Sequence, residues 1–264
     1  MQQNYTPKNK TMSKIVFITG ASSGIGAACA RKFAQGGYTL LLNARTKDKL
    51  QALKTELETT YGTDVLLLPF DVRDRKAAEE AITTLPEQYQ AIDVLVNNAG
   101  LALGIDKEYA GVEEDYDTMI DTNITALLMI TRLVVPGMIA RGKGHIINIG
   151  SVAGDAAYPG GSVYCATKAA VKVLSDGLRM DLVDTPLRVT NVKPGLVETN
   201  FSVTRFGGDK ERANNVYKGI KPLTGEDIAD VVYYAASAPE HVQIAEVLVL
   251  ATHQASGSLV YRKG

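Results

Sequence analysis

The stretch Ile15-Val16-Phe17-Ile18-Thr19-Gly20-Ala21-Ser22-Ser23-Gly24-Ile25-Gly26 carries three signals in succession. Ile15 to Ile18 is a short, apolar, β-branched run, the pattern of a strand buried on both faces. Glycines follow at once in the spacing G-x-x-x-G-x-G, and Ala27 to Gln35 then reads as a helix. Glycine lets the backbone approach a phosphate closely, and the free N–H groups and dipole of a helix start favour the anion. Strand, glycine turn and helix in that order predict a phosphate-binding turn opening an α/β unit. Glycines also build plain turns, which is the competing reading.

The rest of the chain repeats the alternation. Apolar runs at Thr39–Asn43, Val65–Leu68, Val94–Val96, His145–Asn148, Arg188–Val192 and Val247–Leu250 read as further strands. Helical patterns fill the gaps at Thr46–Thr60, Arg75–Leu85, Tyr116–Arg141, Tyr164–Leu182 and Gly225–Ser237, and Pro136 is expected to kink or interrupt the third. Buried strands separated by helices imply a parallel sheet covered on both faces, and right-handed crossovers make it doubly wound. The expectation is one α/β, Rossmann-type domain of about seven strands, with no linker or repeat.

Composition narrows the function. Of 264 residues, 28 are Lys or Arg and 29 are Asp or Glu, so the net charge of −1 offers no basic surface for nucleic acid or anionic membrane. No run of 18 apolar residues predicts a membrane span. Residues 1–12 are polar, lack an apolar signal core, and read as a disordered tail or expression remnant, with Met12 a candidate start. That leaves 13–264 as the catalytic domain. Cys29 and Cys165 lie far apart and form no CxxC pair, which fits a reducing, cytoplasmic compartment. Cys165 reads as a packing residue, with a reactive thiol as the alternative. No metal site is expected.

Tyr164-Cys-Ala-Thr-Lys168 places a phenol and an ammonium one helical turn apart. A free phenol has a pKa of about 10, and a nearby cation favours the phenolate by ~1–3 units. The pair could instead be an ordinary amphipathic couple. Ser151 follows the strand at His145, at the carboxyl end where α/β sheets hold ligands; a capping serine is the alternative. Asn123 falls inside a long helix, where Asn is a mediocre former, so either a tertiary contact or a solvent-facing position explains it.

These residues occur in order with others: Thr19-Gly20-x-x-x-Gly24-x-Gly26, Asp71-Val72, Asn97-Asn98-Ala99-Gly100, Asn123, Ser151, Tyr164-x-x-x-Lys168 and Pro194-Gly195-x-x-x-Thr199. The set spans most of the chain and resembles the classical short-chain dehydrogenase/reductase family. The resemblance implies a catalytic group of Asn123, Ser151, Tyr164 and Lys168, with Asn123 holding water in a proton relay. It implies cofactor contacts from Gly20, Ser22, Ser23, Gly24, Ile25 and Gly26, from Asp71 and Val72 at the adenine, and from Asn98, Ala99 and Gly100 near the ribose. Tyr164, Lys168, Pro194, Gly195, Val197 and Thr199 complete the cofactor set. Asp71 could equally cap the next helix, and Pro194-Gly195 could be a generic turn. A homo-oligomer, a tetramer in this family, would pair the helices at 116–141 and 164–182.

The second strand ends Leu42-Asn43-Ala44-Arg45-Thr46. The acid that grips a 2′-hydroxyl in NAD enzymes is missing, and Arg45, followed by Thr46, can pair with a 2′-phosphate. NADP is the expected cofactor, although many NADP-preferring relatives carry a basic residue where this chain has Ser22-Ser23. The segment of about 196–224 is expected to fold over the substrate as a lid, and Arg205 within it is the candidate for a substrate carboxylate, beside Ser151 and Tyr164. A solvated helical lid is the alternative. Val203-Thr-Arg-Phe-Gly207, Ala238-Pro-Glu-His-Val242 and Thr252-His-Gln254 resemble the NADP-dependent 3-hydroxy acid dehydrogenases, which act on serine, allo-threonine and similar small acids. The competing functions are a reductase of a bulkier ketone and a non-catalytic NADP-sensing scaffold.

Overall fold

A computed structural model describes residues 13–263; the expectation for residues 1–12 lies outside them. Seven parallel strands form one sheet in the order β3-β2-β1-β4-β5-β6-β7. They are β1 (Ile15–Ile18), β2 (Thr39–Asn43), β3 (Val65–Leu68), β4 (Ile92–Asn97), β5 (His145–Ile149), β6 (Arg188–Pro194) and β7 (Glu246–Val249). β1 pairs with both β2 and β4, so strand order reverses there, and the carboxyl ends on either side of it frame a crevice.

Side chains alternate across the sheet and feed two cores. Val16, Ile18, Leu40 and Leu42 point to one face, with Phe33, Leu57, Ile228 and Val232. Helices α1 (Gly24–Gln35), α2 (Lys47–Tyr61) and α9 (Gly225–Ser237) cover that face. Phe17, Leu41 and Leu95 point to the other, with Ile130, Val134 and Met138. There α3 (Arg75–Thr83), α5 (Ala126–Arg141) and α6 (Ser162–Asp181) form the layer. Leu50, Leu53 and Leu57 on α2, and Ile130, Val134 and Met138 on α5, keep the helical spacing that buries one stripe.

A buried polar chain crosses beneath the second face. Asn97 Nδ2 donates to Thr131 Oγ1 (3.0 Å) and Asn148 Oδ1 (2.9 Å), and Asn148 Nδ2 donates to Ser175 Oγ (2.9 Å). It fixes β4 and β5 against α5 and α6, the elements that carry the reactive groups.

The long third helix departs from expectation. It runs as α4 (Glu113–Ile120), a π-turn at Asp121–Thr125, and then α5. Pro136 lies inside α5 without ending it. Pro136 and Arg132, whose carbonyl loses its partner, both sit on the exposed side, where water can serve that carbonyl. The combined stretch Glu113–Arg141 is long and apolar enough to cross a membrane by length and composition, yet one side of it is buried in the sheet's core. The expected lid contains two short helices, α7 (Asn200–Arg205) and α8 (Lys210–Asn215).

Candidate active site

The glycine turn is built around left-handed backbone. Gly24 has φ +54°, and a side chain there would press on Thr199 at 3.2 Å. Gly26 faces inward instead: a Cβ would collide with the Gly20 carbonyl and the Asn98 amide. Gly26 is thus the one expected cofactor contact that does not line the cleft, and its role is packing. Asn98 Nδ2 donates to the Thr19 and Gly20 carbonyls at 2.9 and 3.1 Å, and Thr19 Oγ1 accepts from the Asn98 and Ala99 amides at 3.0 Å. The ends of β1 and β4 are thereby tied together. Asn98 lines the cleft while spending its amide on the glycine turn. At the start of α1 the cap residue Ser23 makes no side-chain bond and the first turn holds no acid. Its N–H groups are available to an anion, which fits a dinucleotide pyrophosphate.

At the end of β2, Arg45 and Thr46 line the same cleft, as do Asp71 and Val72 after β3. Asp71 does not cap α3; Asp74 does, accepting from the Ala77 amide at 3.0 Å. Asp71 grips Arg73 at 2.8 Å and lies 4.0 Å from Arg45. The Arg73 guanidinium holds the Asp71 carboxyl below the usual carboxylate range. Arg73 also lines the cleft and was missed in the sequence, because a lone arginine after Asp71-Val72 matches no motif. The two guanidiniums outweigh the carboxylate, so this end is cationic and fits a 2′-phosphate.

Ser151, Tyr164 and Lys168 come together at the opposite end. Ser151 caps a short turn, accepting from the Ala153 amide at 3.1 Å, and its hydroxyl reaches the Pro194 carbonyl at 3.5 Å. Both readings of Ser151 therefore hold at once: it is a cap and a cleft residue. Lys168 Nζ donates to the Ile149 carbonyl at 2.8 Å and lies 6.0 Å from the Tyr164 ring centre. Burial lowers the Lys168 ammonium to about 8. Burial pushes the Tyr164 phenol well above its ordinary value, and the Ser151 hydroxyl pulls it partway back. The expected depression of the phenol by Lys168 does not govern it here: desolvation dominates and favours the neutral form, and the lowering influences come from Ser151 and Arg205.

Asn123 sits in the π-turn and is buried, so the solvent-facing alternative falls. Its Oδ1 accepts from the Leu101 amide at 2.9 Å, and its Nδ2 donates to the Leu101 carbonyl at 2.8 Å and to Thr167 Oγ1 at 3.0 Å. The Asn123 side chain does not line the cleft. A side chain on Gly100 would meet Asn123 Oδ1 at 3.2 Å and Lys168 Nζ at 3.4 Å, so both groups border one glycine.

The remaining expected contacts, Pro194, Gly195, Val197 and Thr199, also line the cleft, as do Ser22, Ser23, Ile25, Ala99 and Gly100. Arg205 lines it too, but is heavily engaged. Nε donates to the Gly104 carbonyl (3.2 Å), Nη1 to the Tyr158 hydroxyl (2.9 Å) and Nη2 to the Gly160 carbonyl (3.2 Å). Three of its five N–H groups staple the lid to two loops, and two are left for a ligand. Tyr158 and Gln254 are further cleft residues that no sequence motif indicated as site residues. Cys165 is buried, and burial pushes its thiol up, which suits the packing role.

Apart from Gly26, Asn123 and Cys165, these groups line one cleft of about 380 Å³. A phosphate cradle, a cationic far end and a phenol–ammonium–hydroxyl group in one cleft of a doubly wound sheet define a dinucleotide-dependent oxidoreductase fold and site. Comparison with known proteins agrees: the profile described as short chain dehydrogenase matches residues 14–209. The chain belongs to the short-chain dehydrogenase family. It is 47% identical over 251 residues to an NADP-dependent 3-hydroxy acid dehydrogenase of Schizosaccharomyces pombe, covering 95% of this chain and 97% of that one. It is 42% identical over 253 residues to a serine 3-dehydrogenase of Agrobacterium fabrum, covering 96% and 100%. A solved closed form of serine dehydrogenase complexed with NADP+ superposes with a TM-score of 0.88 at 43% identity, covering 95% and 100%.

Proposed function

We propose that the protein is an NADP-dependent oxidoreductase interconverting a small 3-hydroxy acid and its 3-oxo acid or semialdehyde. The observation that carries this is the shared cleft: Ser151, Tyr164 and Lys168 stand at one end and the glycine turn and Arg45 at the other. The names of the S. pombe and A. fabrum relatives supply the substrate class.

NADPH, when bound, supplies the hydride. In reduction the Ser151 hydroxyl holds the substrate oxygen and Tyr164, kept neutral by burial, donates the proton to it. Lys168, anchored on the Ile149 carbonyl, keeps a positive charge beside the phenol as it gives up that proton. Asn123 braces Leu101 and Thr167 around this group, and the relay through Asn123 and Lys168 that the family uses is part of the proposal. Arg205 directs its two free N–H groups to the carboxylate. Lid residues 196–224 and the cofactor contacts named above belong to the same reading.

We place the protein in the cytoplasm, from its two buried free cysteines, and as a homotetramer, from its resemblance to the family, with which exposed Leu128 on α5 and Val173 and Met180 on α6 are compatible. The test of function is steady-state turnover of NADP+ with serine, allo-threonine and 3-hydroxypropionate beside bulky secondary alcohols, and of NADPH with the matching carbonyls. Turnover confined to the bulky compounds, or binding of NADPH with no turnover, would overturn it. Light scattering at several concentrations checks the four-chain mass.

A further inference from the structure

Beyond β7 the chain turns back under the cleft, and Gln254 is where it makes contact. Its side chain is buried, 5% exposed, and lines the cleft. Gln254 Oε1 accepts from the Leu196 amide at 2.8 Å, and Gln254 Nε2 donates to the Ser256 carbonyl at 3.0 Å. A side chain at Gly195 would collide with the Gln254 amide, so the two are in direct contact. The backbone they share with Pro194 is held at every step. The Pro194 carbonyl accepts from Ser151, the Gly195 amide donates to the Val249 carbonyl (2.7 Å), and the Leu196 carbonyl accepts from the Leu223 amide (2.9 Å). Of these groups, the Leu196 amide and the Pro194 carbonyl take side-chain partners, Gln254 and Ser151.

We propose that Gln254 is a positioning residue: its amide fixes the turn Pro194–Leu196, and through it the Ser151 hydroxyl and the floor of the cleft. The proposal rests on the oxidoreductase reading above. The segment carrying Gln254 is itself braced. Tyr261 N donates to the His253 carbonyl, Lys263 N to the Gly219 carbonyl and Arg262 Nη1 to the Lys218 carbonyl, so the same strap reaches the far side of the lid. Gln254 therefore stands where strap, turn and Ser151 meet.

Two substitutions separate positioning from bulk packing. Gln254→Leu keeps the volume and removes the acceptor. It is expected to lower kcat about tenfold or more, since misplacing reacting groups by about 1 Å costs on the order of 100-fold. NADPH affinity, read by fluorescence, should stay within about threefold, and the Leu196 amide should exchange at least about tenfold faster. Gln254→Glu is the sharper probe. A protonated carboxyl offers the same acceptor and donor as the amide, and burial favours that form. Its kcat should approach wild type near pH 6 and fall as pH rises, because the ionised carboxylate still accepts from Leu196 but can no longer donate to the Ser256 carbonyl and is repelled by it. If Gln254→Leu does not fold, Gln254→Asn, polar but too short to reach Leu196, takes its place. A folded Leu or Asn variant with wild-type kcat and unchanged Leu196 exchange overturns the proposal. Amide exchange needs no substrate, so it tests Gln254 even if hydroxy acids prove to be the wrong class.

Discussion

In the proposed reaction Tyr164 gives the proton and no neighbour can take that role over, so Tyr164→Phe should lower turnover by about 10²–10⁴-fold while NADPH still binds. Single-turnover kinetics beside a cofactor titration checks both halves. The same proposal has Ala44 and Arg45 select the cofactor: Ala44→Asp with Arg45→Gln should shift the ratio of kcat/KM from NADP toward NAD. Wild-type preference for NAD would refute the assignment. Arg205 is the residue where sequence and structure pull apart. The sequence offered a carboxylate handle, whereas the structure shows a staple between lid and loops with two N–H groups to spare. Arg205→Ala should raise KM for the acid by about ten- to 150-fold more than for its methyl ester, because a charged hydrogen bond contributes roughly 1.5–3 kcal/mol. An equal loss on both leaves only the staple. Residues set in a spaced motif, such as Ser151, Tyr164 and Lys168, could be read from the sequence. Arg73 and Tyr158 could not, since each reaches the cleft by tertiary contact from an otherwise ordinary segment, and the Thr252-His-Gln254 resemblance did not show that Gln254 enters the cleft.

The strands were the most readable elements, because burial on both faces leaves an unbroken apolar run such as Leu40–Leu42. The π-turn at Asp121–Thr125 was not, since the partners its Asn123 amide meets, Leu101 and Thr167, lie far off in sequence. The glycine turn showed its position but not its division of labour: Gly24 serves a left-handed bend, Gly26 a close approach. β5 carries a titration of its own. Its first residue, His145, is buried with Nε2 on Thr190 Oγ1 at 2.8 Å and no partner at Nδ1, and burial lowers it to about 3. Between about 3 and 6.5 the unfolded chain takes up a proton that the folded chain refuses. Stability from this group is therefore full above 6.5 and falls as pH drops, by up to about 1.4 kcal/mol per pH unit. His145→Gln should flatten the decline of the urea midpoint between pH 7 and pH 5; an identical decline in both proteins would place its origin elsewhere.

Across the whole molecule, βα alternation was enough to foresee a doubly wound sheet, whereas the strand order comes from the structure alone, since crossover handedness does not fix which strands are neighbours. The outer layer was less readable: the exposed apolar residues of α5 and α6 sit on helices whose other side is core, and periodicity alone does not separate the two. The order β3-β2-β1-β4 also governs how the molecule comes to be folded. Every pair in this sheet is parallel, so no strand finds its neighbour through a hairpin, and β1 joins β4 by aligning Ile18 with Val96. Such distant closures cost chain entropy before contacts reward them, which makes folding slow and leaves early species prone to aggregate. The phosphate cradle exists only after that closure, tied by Thr19 and Asn98. NADP should consequently slow unfolding and raise the midpoint by mass action while leaving the refolding rate unchanged. In a stopped-flow experiment the nucleotide would act as a latch on the finished molecule and never as a template for making it.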